Sequence, residues 1–225
     1  MPPLLHRRVL SKGFTPSHVA EVGVFLPEDS NVYGWITAGV RATLVEADPL
    51  TVDKIRAHFA GRANLTVHAA AVCDFHGEVE LRRAGPSTFI QGLHSPAVVN
   101  DGYQTRPDDA FTAPAILFSE VDDGSIDLLS IDIEGAEWFV LQHLKSRPAV
   151  ISVETHGARY QNPRLAEIEA WMAANGYEAW YLDRTDTVYA RPDRLPVTAT
   201  DRLRRGCKRL QTAFRRWRKR LGKSG

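Results

Sequence analysis

The stretch Ile126-Asp127-Leu128-Leu129-Ser130-Ile131-Asp132-Ile133-Glu134-Gly135-Ala136-Glu137 joins an apolar run to a turn rich in carboxylates. The run as far as Ile133 has the near-continuous hydrophobicity of a strand that is buried on both faces. Gly135 frees the turn, and the residues from 136 to 144 have helical spacing. The stretch therefore predicts a buried strand followed directly by a helix.

The same strand-then-helix alternation continues on both sides of this stretch. Further strands are predicted at 18–25, 41–47, 65–72 and 149–153, helices at 32–36, 49–59 and 166–174, and a closing hairpin at 178–183 and 187–190. Residues 73–123 are predicted to be irregular, with short strands at 79–81 and 88–90 and a polar loop at 93–109. Alternation of this kind predicts an α/β fold, a mostly parallel sheet with helices on both faces and a C-terminal antiparallel hairpin. Such a sheet binds its ligand at the carboxyl ends of the strands.

Composition and length indicate one ordinary globular domain. The chain has 225 residues, of which 44% are hydrophobic and 24% charged, and no run of residues is apolar and long enough for a membrane span. With two cysteines, Cys73 and Cys207, and no apolar leader at its start, the sequence predicts a reducing, cytoplasmic location.

The charges divide the chain into two parts. Residues 201–225 hold eleven Lys or Arg and one acidic residue, whereas residues 1–200 hold 17 basic and 26 acidic side chains, a net charge of −9. We therefore predict a domain at 1–200 and a basic tail at 201–225. An acidic domain is poorly suited to wrapping nucleic acid.

The ends of the first two strands suggest a nucleoside pocket. Gly23 follows the first strand and lets the backbone approach a nucleotide, and Glu46 closes the second strand, where it can accept both ribose hydroxyl protons. The further glycines of a pyrophosphate loop are missing, which argues against a dinucleotide. The alternative is that Glu46 is simply solvated.

Three carboxylates surround the turn after the fourth main strand. Strand alternation places Asp132 and Glu134 on one face, and Glu137 falls in the first helical turn, where negative charge suits the helix dipole. The alternatives are that Glu134 and Glu137 cap the helix while Asp132 is solvated, or that Asp132 and Glu134 bind a divalent metal, since hard oxygens suit Mg²⁺ or Ca²⁺.

The stretch from Leu129 to Glu137, with Leu141, resembles the most distinctive motif of FkbM-type methyltransferases, which use S-adenosylmethionine and mostly O-methylate sugars or polyketides. Glu46-Ala47-Asp48-Pro49 resembles the ribose site of that family, 70–74 its third-strand exit and 150–154 its strand ending in Glu. The resemblance spans about residues 19–183 and implies a Rossmann-like class I methyltransferase fold.

The resemblance also implies positions for the cofactor. It puts Glu21 and Gly23 near the methionine end, Glu46 on the ribose, and Asp132 and Glu134 where methionine meets acceptor. The first loop departs from the family pattern because residues 25–31 lack the second glycine, and Ala47 replaces a proline. Another group must then hold the methionine carboxylate, and Ser30 and Asn31 at the start of the following helix are the candidates. The complete set of predicted cofactor residues is Glu21, Gly23, Ser30, Asn31, Glu46, Ala71 and Asp132.

Methyl transfer to an alcohol needs a group that accepts the hydroxyl proton. His156 follows the fifth strand at the same edge and is the first candidate, with Asp132 second; Glu134 completes the predicted catalytic set. A hydrogen-bonded bystander is the alternative for the histidine. The polar loop supplies candidate acceptor-binding residues suited to a carbohydrate, or ordinary surface turn residues: His94, Asn100, Asp101, Tyr103 and Arg106.

The basic tail has the pattern of an amphipathic helix. Its apolar residues follow spacings of three and four and form a single stripe: Leu203, Cys207, Leu210, Phe214, Trp217 and Leu221. A helix lying on an anionic membrane, a coiled-coil partner, a nucleic-acid arm and a solvated tail are the alternatives. The dense positive charge and the apolar stripe together favour the membrane, with Trp217 and Phe214 as anchors.

We therefore expect an S-adenosylmethionine-dependent O-methyltransferase that acts on a sugar hydroxyl of a glycan or glycolipid, with a divalent metal as a further cofactor to test. The expected location is the cytoplasm, at the inner face of the membrane. The alternative is a non-catalytic nucleoside-binding or scaffold protein with a degenerate methyltransferase fold. A nucleic-acid methyltransferase ranks third, because the domain is acidic and lacks an Asn/Asp-Pro-Pro-aromatic motif.

Overall fold

The computed structural model describes residues 3–85, 87–104, 106–157 and 159–221, without the side chains of residues 101 and 212–221. In these ranges the strands are β1 (His18–Val22), β2 (Arg41–Glu46), β3 (Leu65–Ala69), β4 (Ala71–Val72), β5 (Gly77–Ala84), β6 (Ser87–Ile90), β7 (Ala110–Ile116), β8 (Leu128–Ile131), β9 (Val150–Glu154), β10 (Glu178–Leu182) and β11 (Asp186–Ala190). The helices are α1 (Leu4–Ser11), α2 (Tyr33–Thr37), α3 (Pro49–His58), α4 (Pro96–Asp101), α5 (Glu137–Gln142), α6 (Leu165–Ala174) and α7 (Ala199–Leu221).

Seven strands form the main sheet in the order β10-β11-β9-β8-β1-β2-β3. All neighbours are parallel except β11, which is antiparallel to both β9 and β10. The mostly parallel sheet and the C-terminal antiparallel hairpin are confirmed. The strand order reverses at β1, whose neighbours are β2 and β8, so the ligand crevice is expected beyond the carboxyl ends of these three strands.

Alternating side chains divide the core between the two faces of this sheet. Val19 and Leu128 pack into a buried cluster with residues of α1, α2 and α3, whereas Leu129 and Ile131 face a second cluster with residues of α5 and α6. The predicted arrangement, with helices on both faces, is confirmed.

The segment predicted to be irregular contains a second sheet of four strands, in the order β4-β7-β5-β6. Residues 110–116 were expected to be irregular but form β7, in which Ala113 and Ala115 are buried and Thr112 and Pro114 are exposed. Because its two buried positions hold alanine and Pro114 lies between them, the centre of the strand lacks the β-branched and aromatic residues that mark strands in sequence.

Other boundaries in this region also differ from expectation. The predicted strand at 65–72 breaks at Ala70, after which β4 leaves the main sheet and joins β7. The predicted loop at 93–109 contains α4, whose N-cap Ser95 accepts a hydrogen bond from the Ala97 N–H at 3.1 Å. The N-terminal α1 was not predicted at all, although its Val9 is completely buried.

The predicted tail helix begins two residues earlier than expected, as α7. At its start the Thr198 hydroxyl accepts the Asp201 N–H at 3.2 Å, and the Asp201 carboxylate accepts the Thr198 N–H at 2.9 Å. This reciprocal pair satisfies N–H groups that a helix start leaves without partners. Residues 222–225 of the predicted tail lie outside the described residues. Within the described ranges, no helix has both the length and the apolar character needed to cross a membrane.

Candidate functional site

A cleft of about 260 Å³ opens at the carboxyl edge of the main sheet. The loop Gly23–Phe25 after β1 forms one wall, Glu46 and Asp48 after β2 form the next, and Asp132 and Glu134 after β8 line the side nearest the reversal of strand order. The β5–β6 hairpin of the second sheet contributes Gly85, Ser87 and Thr88. The cleft therefore lies where the open-sheet rule places a ligand.

Gly23 allows two strand exits to pack against each other. It has φ +85°, and a Cβ built on it would lie 1.8 Å from the carbonyl oxygen of Asp132. The Asp132 N–H in turn donates to the Val22 carbonyl at 2.9 Å. The contact with the β8 exit thus requires a glycine at this position, whether or not a ligand also approaches it.

Glu46 lies at the end of β2 and is 7% exposed. Its carboxylate accepts the Val24 N–H and the Asp48 N–H, both at 2.8 Å. Burial raises the pKa of Glu46 to about 7 even though these hydrogen bonds favour the charged form. Each oxygen has a second lone pair, so the carboxylate can still accept a hydroxyl proton from the cleft.

Glu21, Ser30 and Asn31 form a separate buried cluster. The Ser30 hydroxyl donates to the Glu21 carboxylate, and the Asn31 N–H donates to it at 2.9 Å. Burial raises the pKa of Glu21 to about 7. The structure therefore places these three predicted cofactor residues behind the first loop, which they hold to β1, and not among the residues that line the cleft.

Ala71, also predicted as a cofactor residue, lies in β4 of the second sheet. It is 5% exposed and packs in an apolar cluster with Cys73 and Leu81. It does not line the cleft either. The structure thus brings Gly23, Glu46 and Asp132 together at the cleft.

The turn after β8 has a strained conformation. Glu134 has φ +56°, the only positive φ of a non-glycine residue in the described part of the chain. Its carboxylate accepts the Ser95 hydroxyl at 3.2 Å and the Ala97 N–H at 3.3 Å. A residue in this left-handed region persists only where its surroundings hold it there, and these contacts tie the turn to the start of α4.

Glu137 stabilises the same turn from inside. It is completely buried, and one oxygen accepts the N–H groups of Ile133 at 3.1 Å and Gly135 at 3.0 Å. The other oxygen accepts the Asn162 side-chain amide at 2.6 Å. Both N–H groups belong to residues before α5, so Glu137 holds the turn and does not cap the helix, in contrast to the capping alternative.

A cluster of carboxyl groups lies between the exits of β8 and β9. One oxygen from each of Asp132, Glu137 and Glu154 lies within 4.8 Å of the others. Burial, and then the neighbouring carboxylates, raise the pKa of Asp132 well above its usual range and that of Glu154 to about 12. Glu134, expected beside Asp132 as a metal ligand, is not part of this set of three.

Two buried polar atoms in this region have no hydrogen-bond partner among the described residues. They are Oε2 of Glu154, which is 4% exposed, and the hydroxyl of Tyr160, which is fully buried. Burial and the charges of Glu137 and Glu154 raise the pKa of Tyr160. Most buried polar groups have a hydrogen-bond partner, so these two atoms are exceptions in this region.

His156 follows β9 but is 4% exposed and does not line the cleft. Its Nδ1 lies 2.9 Å from the Thr155 hydroxyl, and its backbone N–H donates to the Thr185 carbonyl at 3.0 Å. Of the two candidate bases, Asp132 is the one whose side chain reaches the cleft.

The predicted acceptor-binding residues are spread along the loop region. The exposed His94 ring stacks on Tyr160, with ring centroids 5.8 Å apart, and the His94 carbonyl lies beside Gly135. Asn100 accepts the backbone N–H groups of residues 159 and 160 at 2.7 and 2.9 Å. These two residues therefore lie near the β8 turn.

The other three predicted acceptor residues lie elsewhere. The Tyr103 hydroxyl donates to Asp109, and its ring packs edge-on against Phe89. Arg106 is exposed, and its carbonyl accepts a hydrogen bond from Arg82 at 2.9 Å. The side chain of Asp101 lies outside the described residues.

Several site residues were missed by sequence reasoning. Arg83 lines the cleft and binds Asp48 through two hydrogen bonds, of 3.1 and 2.8 Å. Glu154 was missed as a member of the carboxyl cluster, and Tyr160 was missed as its buried neighbour. Glu154 ends a predicted strand at the ligand edge, and this could have singled it out, whereas nothing local marks Arg83 or Tyr160.

The family model described as the methyltransferase FkbM domain matches residues 19–179. A comparison with curated proteins finds no match. Solved structures with a similar fold include a SAM-dependent methyltransferase from Aquifex aeolicus (11% identity, 84% of this chain and 89% of that chain, TM-score 0.44). A second is a ribosomal protein L11 methylase from Lactobacillus delbrueckii subsp. bulgaricus (13% identity, 84% of this chain and 76% of that chain, TM-score 0.40). A third is an O-methyltransferase from Bacillus cereus in complex with SAH (15% identity, 83% of this chain and 77% of that chain, TM-score 0.39).

Proposed function

The chain belongs to the FkbM methyltransferase domain family and is an S-adenosylmethionine-dependent methyltransferase with the class I fold, and we propose that it methylates a sugar hydroxyl of a glycan or glycolipid. One observation carries this proposal. A single cleft contains a strand-end glutamate suited to a ribose, the Gly23 loop and two carboxylates beside the reversal of strand order.

The residues of the cleft fit S-adenosylmethionine, which supplies a methyl group on a positively charged sulfur. Glu46 can accept hydrogen bonds from the ribose hydroxyls with the lone pairs that its backbone contacts leave over. Asp132 and Glu134 face the cleft from the β8 side, where their negative charge favours the cationic methionine part. The loop Gly23–Phe25 lies between these two regions.

The acidic edge also suits the change of charge during the reaction. The charges of Asp186, Glu134 and Glu137 give this edge a negative potential, which raises the pKa of Asp132. A positive sulfonium is attracted by this potential, whereas the neutral thioether left after methyl transfer is not. The cluster therefore favours binding of the methyl donor over the product.

We assign the proton-accepting role to Asp132. Bound S-adenosylmethionine would supply the methyl group to the acceptor hydroxyl oxygen and leave as the neutral thioether, and a carboxylate oxygen of Asp132 would accept the hydroxyl proton. Burial and its carboxylate neighbours raise the pKa of Asp132, which makes it a stronger base than an ordinary aspartate. The buried His156 lies behind this position, next to Thr155.

A divalent cation is part of the proposal as a second cofactor to test. Asp132, Glu137 and Glu154 would hold it, since their oxygens already converge and Oε2 of Glu154 has no hydrogen-bond partner among the described residues. Hard carboxylate oxygens suit Mg²⁺. Such an ion would offset the clustered negative charge and stabilise the deprotonated acceptor hydroxyl.

A neutral hydroxylated acceptor fits the charge of this edge better than a phosphate-rich one. Carboxylates surround the reacting position, and they would repel the backbone of a nucleic acid. The exposed His94 ring, stacked on Tyr160 next to the β8 turn, offers a flat surface beside the site. These features support a sugar as the acceptor.

Methyl transfer by the purified full-length protein tests the proposal. With S-adenosylmethionine carrying a labelled methyl group, we expect label in neutral glycans or glycolipids, each gaining the mass of one methylene unit per transfer, and none in oligonucleotides. Surface glycans from cells with and without the gene should differ by the same mass. Binding of the cofactor without transfer to any glycan would instead support the non-catalytic alternative, and labelled oligonucleotides would support a nucleic-acid methyltransferase.

A further inference from the structure

The first turns of α7 are attached to the domain by their charged side. The Arg202 guanidinium donates two hydrogen bonds to Glu178, both at 2.7 Å, and the Arg205 guanidinium donates to the Ala179 carbonyl. Lys12 forms an ion pair with Asp201 at 2.7 Å. Polar groups thus hold the start of this helix against β10 and the end of α1.

The apolar side of α7 faces away from the domain. Leu203 is 70% exposed and Leu210 is 73% exposed, and Cys207 between them is exposed as well. An α-helix turns by about 100° per residue, so these three residues form one face, opposite Asp201, Arg205 and the partly buried Lys208. This orientation is the reverse of that of a helix docked on its own core.

The sequence continues the apolar spacing along the rest of the helix. Phe214, Trp217 and Leu221 continue the spacing of Leu203 and Leu210, although their side chains lie outside the described residues. Arginines flank the stripe on both sides, at about 100° from it, as with Arg204 on one side and Arg209 on the other. The face is therefore apolar at its centre and strongly basic along both margins.

We propose that this face of α7 binds an anionic lipid surface, independently of the methyl-transfer reaction. The basic margins complement anionic headgroups, and the leucines reach the apolar layer below them. A second copy of the helix would bring the same rows of arginines together, and a nucleic acid would leave the apolar residues exposed. The lipid surface is the partner that matches both parts of the face.

The start of α7 is attached to the domain on the side opposite the cleft. β10 is antiparallel to β11, which is antiparallel to β9, so β10 runs in the same direction as the parallel strands. Glu178 and Ala179 begin β10 and hence lie at the amino edge of the sheet, opposite the cleft. A surface bound by α7 therefore need not cover the cleft.

Co-sedimentation of the full-length protein with vesicles tests the proposal. The probes are vesicles of phosphatidylglycerol mixed with phosphatidylcholine, and vesicles of phosphatidylcholine alone. The variant is Leu203→Ala/Leu210→Ala, which shortens two exposed apolar side chains and keeps every charge. The matched control is Phe75→Ala, which removes an exposed apolar side chain outside α7.

We expect sedimentation with the anionic vesicles only, weakened by high salt because screening reduces the charge attraction. The double variant should lose at least about tenfold in vesicle partitioning, equivalent to about 1.4 kcal/mol, while Phe75→Ala behaves as wild type. Unchanged binding of the double variant would overturn the proposal. So would self-association that the double variant abolishes without any vesicle binding, or an oligonucleotide shift with no vesicle binding.

Discussion

The backbone of Gly23 packs directly against the main chain of Asp132, so closely that a Cβ on Gly23 would stand 1.8 Å from the Asp132 carbonyl oxygen. The two residues follow neighbouring parallel strands, β1 and β8. The residue assigned as base and the glycine of the cofactor loop are thus positioned by one contact. A substitution that moves either residue should therefore displace the other.

Gly23→Ala is therefore expected to destabilise the fold more than a left-handed backbone alone explains. Gly39 has the same φ of +85° and nothing near its Cβ position, so Gly39→Ala is the matched control. The control should lower the free energy of unfolding by about 1–2 kcal/mol, because a residue with a Cβ is strained in the left-handed region. Gly23→Ala should cost at least about 2 kcal/mol more, because of the backbone clash. Urea unfolding of both variants measures the difference, and equal costs would contradict the close contact.

Loss of the Glu46 carboxylate should weaken cofactor binding. We expect Glu46→Ala to reduce the affinity for S-adenosylmethionine by about 1–3 kcal/mol, or about 5-fold to 150-fold, the scale for losing charge-assisted hydrogen bonds. Calorimetry measures this affinity, and Glu78→Ala, at an exposed position of β5, is the control. Because Glu46 also holds two backbone N–H groups, thermal unfolding must show that the variant is folded. Absence of binding by the wild-type protein to both S-adenosylmethionine and S-adenosylhomocysteine would refute the cofactor assignment.

The carboxylates after β8 should control turnover. Asp132→Asn and Glu134→Gln are expected to reduce kcat by at least about a hundredfold while the fold survives, since misplacement at a reacting centre is costly. Asp108→Asn, at an exposed position far along the chain, should leave kcat unchanged. Wild-type rates in both site variants would remove these residues from the mechanism.

The same assay separates a metal role from a purely protein one. If the carboxyl cluster binds Mg²⁺, EDTA should abolish turnover, added Mg²⁺ should restore it, and Glu154→Gln should raise the Mg²⁺ concentration needed. Full activity in EDTA would leave Asp132 acting without a cation.

The main sheet was predictable because its central strands are mostly apolar, so that β1, β8 and β9 stand out against their polar connections. The second sheet was not, because the buried positions of β7 are Ala113 and Ala115, and small residues give no clear alternation.

The site was predictable only where a functional side chain directly ends a strand. Glu46 and Asp132 satisfy that condition and lie at the cleft. Ser30 and Asn31 were assigned to the cofactor from loop chemistry alone, but the structure places them against Glu21, a long-range partner that the local sequence does not reveal. The neighbourhood of Glu154 and Tyr160 likewise depends on how the exits of β8 and β9 meet.

Buried carboxyl groups at this edge should make the protein less stable as the pH rises from about 4.5 to about 7. Burial raises the pKa of Glu46, Glu21 and Glu137 to about 7 each in the folded state, from 4.5 for an unperturbed side chain. Between these values the folded protein keeps protons that the unfolded chain has released. The free energy of unfolding therefore falls with rising pH, by up to about 1.4 kcal/mol per pH unit for each group.

Glu46→Gln isolates one of these groups, because a glutamine cannot ionise. Urea unfolding between about pH 5 and pH 7 should show a shallower fall for Glu46→Gln than for wild type, by up to about 1.4 kcal/mol per pH unit. Glu78→Gln, at an exposed position, should keep the wild-type slope. Buried histidines such as His18, whose pKa is lowered by burial, act in the opposite direction in both proteins and cancel in the difference. The cationic cofactor should bind more tightly as Glu46 ionises, so its affinity should rise over the range in which the free protein loses stability. Parallel unfolding curves for wild type and Glu46→Gln would show that Glu46 is already ionised at pH 5.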